Sequence, residues 1–106
     1  MKVILVIINC NSRKEAERIG KAVLKKRLAG CSDIFPRLAS YYFWPPKSGK
    51  IEKGKGSTLV CTTSSQHVQR ITSLVKQLHS DTIPFIGCIE LRDINSDYIR
   101  WLQSEI

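Results

Sequence analysis

Val3-Ile4-Leu5-Val6-Ile7-Ile8 restricts this chain more than any other segment. Six consecutive apolar residues, most of them β-branched and without polar alternation, predict a strand covered on both faces in the middle of a sheet. The run is far shorter than the roughly 20 residues a membrane-spanning helix needs. It leads into Asn9-Cys10-Asn11-Ser12 without a small-residue cleavage site, so it reads as neither a span nor a secretory leader. The expected setting is the cytoplasm, with no membrane association.

The 106 residues form one domain-sized unit, so every element has to share this strand's core. Ser12 stands three residues before Glu15, a capping box that predicts a helix start. Ala16, Ile19, Val23, Leu24 and Leu28 then recur at helical spacing, with Arg13, Lys14, Glu17, Arg18, Lys21 and Lys25 on the other side. That is an amphipathic helix lying on a sheet, with Gly30 as its expected C-cap.

Cys31 to Trp44 reads as a second strand, in which Pro36 requires a bulge or an edge position. Pro45-Pro46-Lys47-Ser48-Gly49-Lys50 breaks it, and the third strand is expected at Thr58 to Thr63. The pair forms a hairpin with a long, exposed, basic tip from Pro45 to Gly56. Ser64 or Ser65 is expected to cap a second helix, striped by Val68, Ile71, Val75 and Leu78. Pro84 bars a helix, Phe85 to Leu91 alternates as a fourth strand, and Asn95 caps a short helix carrying Tyr98, Ile99, Trp101 and Leu102.

Two βα units separated by a hairpin, with right-handed crossovers, give an α/β (α+β) ferredoxin-like βαββαβ fold. Its antiparallel sheet has both main helices on one face and a C-terminal helix beyond. The other face is left without helices, and Tyr41, Tyr42, Phe43 and Trp44 exceed what one small core needs. Such a face predicts oligomerisation.

A formal charge of +8, with seven of the 17 Lys and Arg between Arg13 and Arg27, suits anionic partners without choosing among them. Nucleic acid is disfavoured, because no R/K-G-F-G-F-V-like segment fills the third strand. No H-E-x-x-H, G-x-S-x-G or P-loop occurs, and His67 and His79 are the only histidines, so an enzyme is not expected.

Cys10, Cys31, Cys61 and Cys88 have no zinc-finger spacing. Buried free thiols are the plainer account of them. Cys10, Cys31 and His79, each at an element end, offer thiolate and imidazole, a donor set suited to copper or zinc. Their separation in the chain says nothing of convergence.

Three segments together resemble the CutA divalent-cation tolerance family. They are Arg27-Leu28-Ala29-Gly30-Cys31, then Ser40-Tyr41-Tyr42-Phe43-Trp44 followed by Gly49-Lys50-Ile51, and Asp97-Tyr98-Ile99-Arg100-Trp101-Leu102. The resemblance implies a tight, non-enzymatic homotrimer and places Cys10, Cys31 and His79 where ligands for copper or another divalent metal have been proposed in some members. His79-Ser80-Asp81-Thr82-Ile83-Pro84-Phe85 departs from the family's H-P-Y-x-x-P-E. Gly56 replaces a common Glu, Thr62 replaces a Lys, and Pro45-Pro46-Lys47-Ser48 is an insertion. Alternatives on the same fold are a PII-like small-ligand signalling trimer and a nucleic-acid-binding ferredoxin-like domain.

Overall fold

The computed structural model describes residues 1–106. Its elements run β1 (Val3–Cys10), α1 (Arg13–Lys25), β2 (Cys31–Phe43), β3 (Ile51–Ser64), α2 (Val68–Leu78), β4 (Ile86–Leu91) and α3 (Ser96–Glu105). A 3-10 turn, Ser65–His67, leads into α2. The four strands form one antiparallel sheet in the order β2-β3-β1-β4. The apolar run is therefore an inner strand, paired with β3 and β4 on its two sides.

Strand alternation sorts its residues. Ile4, Val6, Ile8 and Cys10 enter the main core, where Ala16, Ile19 and Val23 of α1 and Ile71 and Val75 of α2 meet Leu59 and Cys61 of β3. The opposite face, carrying Leu5 and Ile7, is only half-buried. Coverage on both faces of β1 is thus incomplete within one chain. Phe35 and Ile89, on the same open face by register, are each at least half exposed.

Ser12 caps α1 as expected, its side chain accepting from the Glu15 amide. The helix ends earlier than Gly30. Lys26 is the C-cap, and Arg27, at φ 57°, makes the left-handed turn a glycine was expected to make. Arg27 is held there by Glu105, 2.5 Å from its guanidinium. At α2 neither Ser64 nor Ser65 forms a side-chain cap, and the 3-10 turn supplies the entry.

The hairpin departs most from expectation. β3 begins at Ile51 rather than Thr58, so the tip is a two-stranded ribbon and only 44–50 form its turn. Gly49, at φ 72°, allows that turn. Pro36 is accommodated because β2 is an edge strand, and the register irregularity lies between Arg37 and Ser40 instead. The ribbon makes the molecule long, 47 × 26 × 22 Å. Tyr41, Phe43 and Ile51 on it are largely exposed.

Gly56 marks a close crossing. A Cβ there would stand 2.2 Å from the Cys10 carbonyl oxygen and 2.9 Å from an Arg37 nitrogen, whereas one at Gly49 would meet nothing within 4 Å. Gly56→Ala is expected to cost about 2–3 kcal/mol through forced backbone displacement, and Gly49→Ala about 1 kcal/mol through its left-handed backbone alone. Chemical denaturation of both variants checks the order; equal losses would contradict the crossing.

Candidate metal centre

β1 ends with Cys10 turned into the core, and the chain turns at once through Asn11 and Ser12 into α1. Glu15 lies in the first turn of that helix. In a capping box its carboxylate would return to the amide of the cap residue; here Glu15 Oε1 accepts from the Asn11 amide at 2.9 Å. Oε2 accepts from the Ser80 amide at 2.8 Å, which ties the segment after α2 to the start of α1. Arg18 strengthens this junction by donating to the Leu78 carbonyl at 2.8 Å.

His79 is the C-cap of α2 and is buried. Its Nδ1 accepts from the Asp81 amide at 2.9 Å, so Nε2 carries the proton and donates to the Asn9 carbonyl at 2.7 Å. The ring is neutral in this arrangement. Nε2 also lies 3.7 Å from Glu15 Oε1. One ligand atom each from Cys10, Glu15 and His79 falls within 4.8 Å of the other two.

The electrostatics are those of a dry, hydrogen-bonded pocket. Burial pushes the Cys10 thiol up to about 11, aided by the nearby Glu15 charge, so sulfur is protonated at neutral pH. Burial alone would raise the Glu15 carboxyl too. The hydrogen bonds from Ser80 and Asn11 outweigh it and hold that carboxyl below its ordinary value.

Two of the three residues singled out from sequence, Cys10 and His79, therefore lie together. Cys31 lies elsewhere in the chain. It pairs with Thr62 while Cys10 pairs with Ser57, which separates them by about 17 Å of strand. It also occupies the opposite face, with its sulfur 3.2 Å from Thr62 Oγ1 and 3.7 Å from Tyr98 Oη. Glu15, read from sequence only as a cap, takes the third place. The one signal for it was a carboxylate in the turn directly after a cysteine-ended strand.

The donor set fits a borderline metal, since sulfur, nitrogen and oxygen converge with edges suited to a single small cation. Binding would remove the Cys10 and His79 Nε2 protons and give up the bond to Asn9. Such an ion would draw the three elements together; without it the hydrogen bonds already described join them.

The fold and this cluster define a class: a small βαββαβ domain with a buried thiol, imidazole and carboxylate at one end of its sheet. The family described as CutA1 divalent ion tolerance protein matches residues 4–105, and the chain belongs to it. It is 33% identical over 101 residues to the divalent-cation tolerance protein CutA of Archaeoglobus fulgidus, covering 95% of each. It is 31% identical to a protein CutA homolog of Danio rerio, covering 96% of this chain but only 66% of the relative. The solved structure of the A. fulgidus protein, which is described as periplasmic, superposes with a TM-score of 0.90 at 32% identity, covering 97% of each chain.

Because the folded state lowers the Glu15 carboxyl, its stabilisation is present at neutral pH and is lost as pH falls through the lowered value. Glu15→Gln is expected to cost about 2 kcal/mol at pH 7 and to flatten the acid side of a melting-temperature profile. Unchanged melting at pH 7 would contradict the clamp.

Proposed function

We propose that this chain acts as a non-enzymatic, homotrimeric divalent-cation tolerance protein that binds copper or another borderline divalent ion weakly at Cys10 and His79, with Glu15 as third ligand. The observation that carries the metal reading is the convergence of these three buried side chains. Family membership supports the tolerance role. Four free cysteines, two of them buried, favour the reducing cytoplasm as its location. No helix is long and apolar enough to cross a membrane.

Support for the trimer is the uncovered face of the sheet. Leu5 and Ile7 are half-buried there, Phe35 and Ile89 are exposed, and the exposed aromatics of the ribbon extend the apolar surface. Burying both is the kind of gain that holds obligate oligomers together. The ribbon reaches a neighbouring subunit, where Ile51 and Phe43 find partners their own chain does not give.

Light scattering at micromolar concentration is expected to give three times the 12.0 kDa chain mass. A 12.0 kDa particle would refute the assembly.

Calorimetric titration of the reduced protein with copper tests the site. Cys10→Ser and His79→Gln are expected to weaken binding at least about tenfold, while Cys31→Ala and Cys61→Ala leave it unchanged. Affinity falls as pH falls, because protons compete for sulfur and nitrogen. A loss with Cys31→Ala alone would instead draw in the far end of the sheet and sink the Glu15 assignment.

A further inference from the structure

The outer surface of α1 and α2 lies on the side of the sheet away from the open face, so assembly through that face leaves it in solvent. Lys14, Arg18, Lys21 and Lys25 fall within about 60° of one another around α1 and form one row about 16 Å long. The row stands opposite Ala16, Ile19 and Val23, all fully buried, and therefore points straight outward. Lys26 is exposed at the helix end. α2 adds Arg70 and Lys76 on its exposed side and carries no acidic residue.

These charges are not neutralised within the chain. Lys14, Lys21, Lys25, Lys26, Arg70 and Lys76 have no carboxylate within ion-pair distance. The two acids of α1 are engaged, Glu17 with Arg13 at 2.7 Å and Glu15 with the Asn11 and Ser80 amides. In the row, Arg18 alone has a structural partner, the Leu78 carbonyl. Nor does helix stability account for the row. Lys14–Arg18, Arg18–Lys21 and Lys21–Lys25 are like-charge neighbours three or four residues apart, which oppose helix formation. Lys14 also sits in the first turn, where the helix dipole favours the opposite sign, and only Lys25, in the last turn, is placed as the dipole prefers. A basic stripe that the fold does not need and leaves unneutralised suits an external polyanion.

What the layer lacks decides which polyanion. Leu24, 37% exposed, is the one large apolar side chain that either helix shows to solvent. Interfacial helices hold a membrane by sinking an apolar face into it, and the apolar face of α1 is already used by the core. Neither helix carries an aromatic residue, so the bases of a single strand have nothing to stack on. A duplex needs neither feature. It presents one phosphate charge per about 1.7 Å of axis, and a straight row of lysines on a rigid helix meets that charge without ordering a loop.

We propose that the outer face of α1 and α2 binds the phosphate backbone of double-stranded nucleic acid without sequence preference, through the Lys14, Lys21 and Lys25 row with Lys26, Arg70 and Lys76 beside it. Helices meet phosphates here; base reading by a sheet face is a separate mode, for which β3 carries no motif.

The test is fluorescence anisotropy of a labelled DNA duplex of roughly 20 base pairs, titrated with the full-length protein at neutral pH. EDTA is present, so that metal at Cys10 and His79 plays no part. With about four phosphates neutralised, log affinity against log salt should slope at about −3.6, an affinity loss of about 150-fold between about 50 and 200 mM salt. Two duplexes of unrelated sequence should bind within about threefold of each other, and a larger preference would overturn the backbone mode. Lys14→Gln, Lys21→Gln and Lys25→Gln together should weaken binding at low salt at least about tenfold and flatten the slope by about 2.7. The same charge removed from the ribbon tip, by Lys47→Gln, Lys50→Gln and Lys53→Gln, should change affinity less than about threefold. No binding at about 50 mM salt overturns the proposal, as does equal weakening by the two triple variants, which marks attraction to net charge alone. Tighter binding of the single strand, of anionic phospholipid vesicles or of polyglutamate, at the same charge concentration, also overturns it and names the occupant instead.

Discussion

The pairing of β1 on both edges is the constraint from which everything else follows. A strand of β-branched residues gains little alone, but between β3 and β4 its backbone groups on either side enter ladders. Once it is central, alternation decides what each residue does. Val6, Ile8 and Cys10 seal the side of α1 and α2 completely, and Leu5 and Ile7 are left half-buried on the opposite face. The end of the strand then serves two regions at once. Cys10 offers its sulfur to the core and its carbonyl to Arg37, while the Asn9 carbonyl receives His79 and its side chain receives Thr58.

Glu15 turns that strand end into a junction. The amino end of α1 favours a negative charge, because its first amides point free ends at it. A carboxylate placed there satisfies Asn11 and Ser80 together, and so fixes where the segment after α2 lies. The same bonds make it a poised rather than a vacant ligand. Any cation arriving at Cys10 and His79 competes with a network that already holds the junction shut, which is the physical reason to expect weak binding.

The element order, the helix faces and the inner position of β1 were legible because each rests on hydrophobic period. Three features were not. Ile51-Glu52-Lys53-Gly54-Lys55-Gly56 lacks the β-branched enrichment that marks strands, and it pairs because β2 offers an edge opposite it. The end of α1 was misplaced because Arg27 takes a left-handed backbone that composition assigns to glycine, steadied by Glu105, far away in the chain. Cys31 looked like a companion of Cys10 because both end a strand. Only the register, with its five-residue offset along β3, separates them.

The strand order also has a consequence in time. Val3 pairs with Leu91, nearly the whole length of the chain away, so β1 emerges from the ribosome long before its β4 edge can be covered. Contacts so distant close slowly, since the intervening chain must first be ordered. Until then an uncharged, proline-free β-branched segment stands with an unpaired edge, the kind that recruits other chains. α1 and the β2–β3 hairpin, both made earlier than β4, can shield one face and one edge of it in the interval. How long that edge stands open therefore depends on how fast the last strand docks, a kinetic exposure that the finished sheet no longer displays.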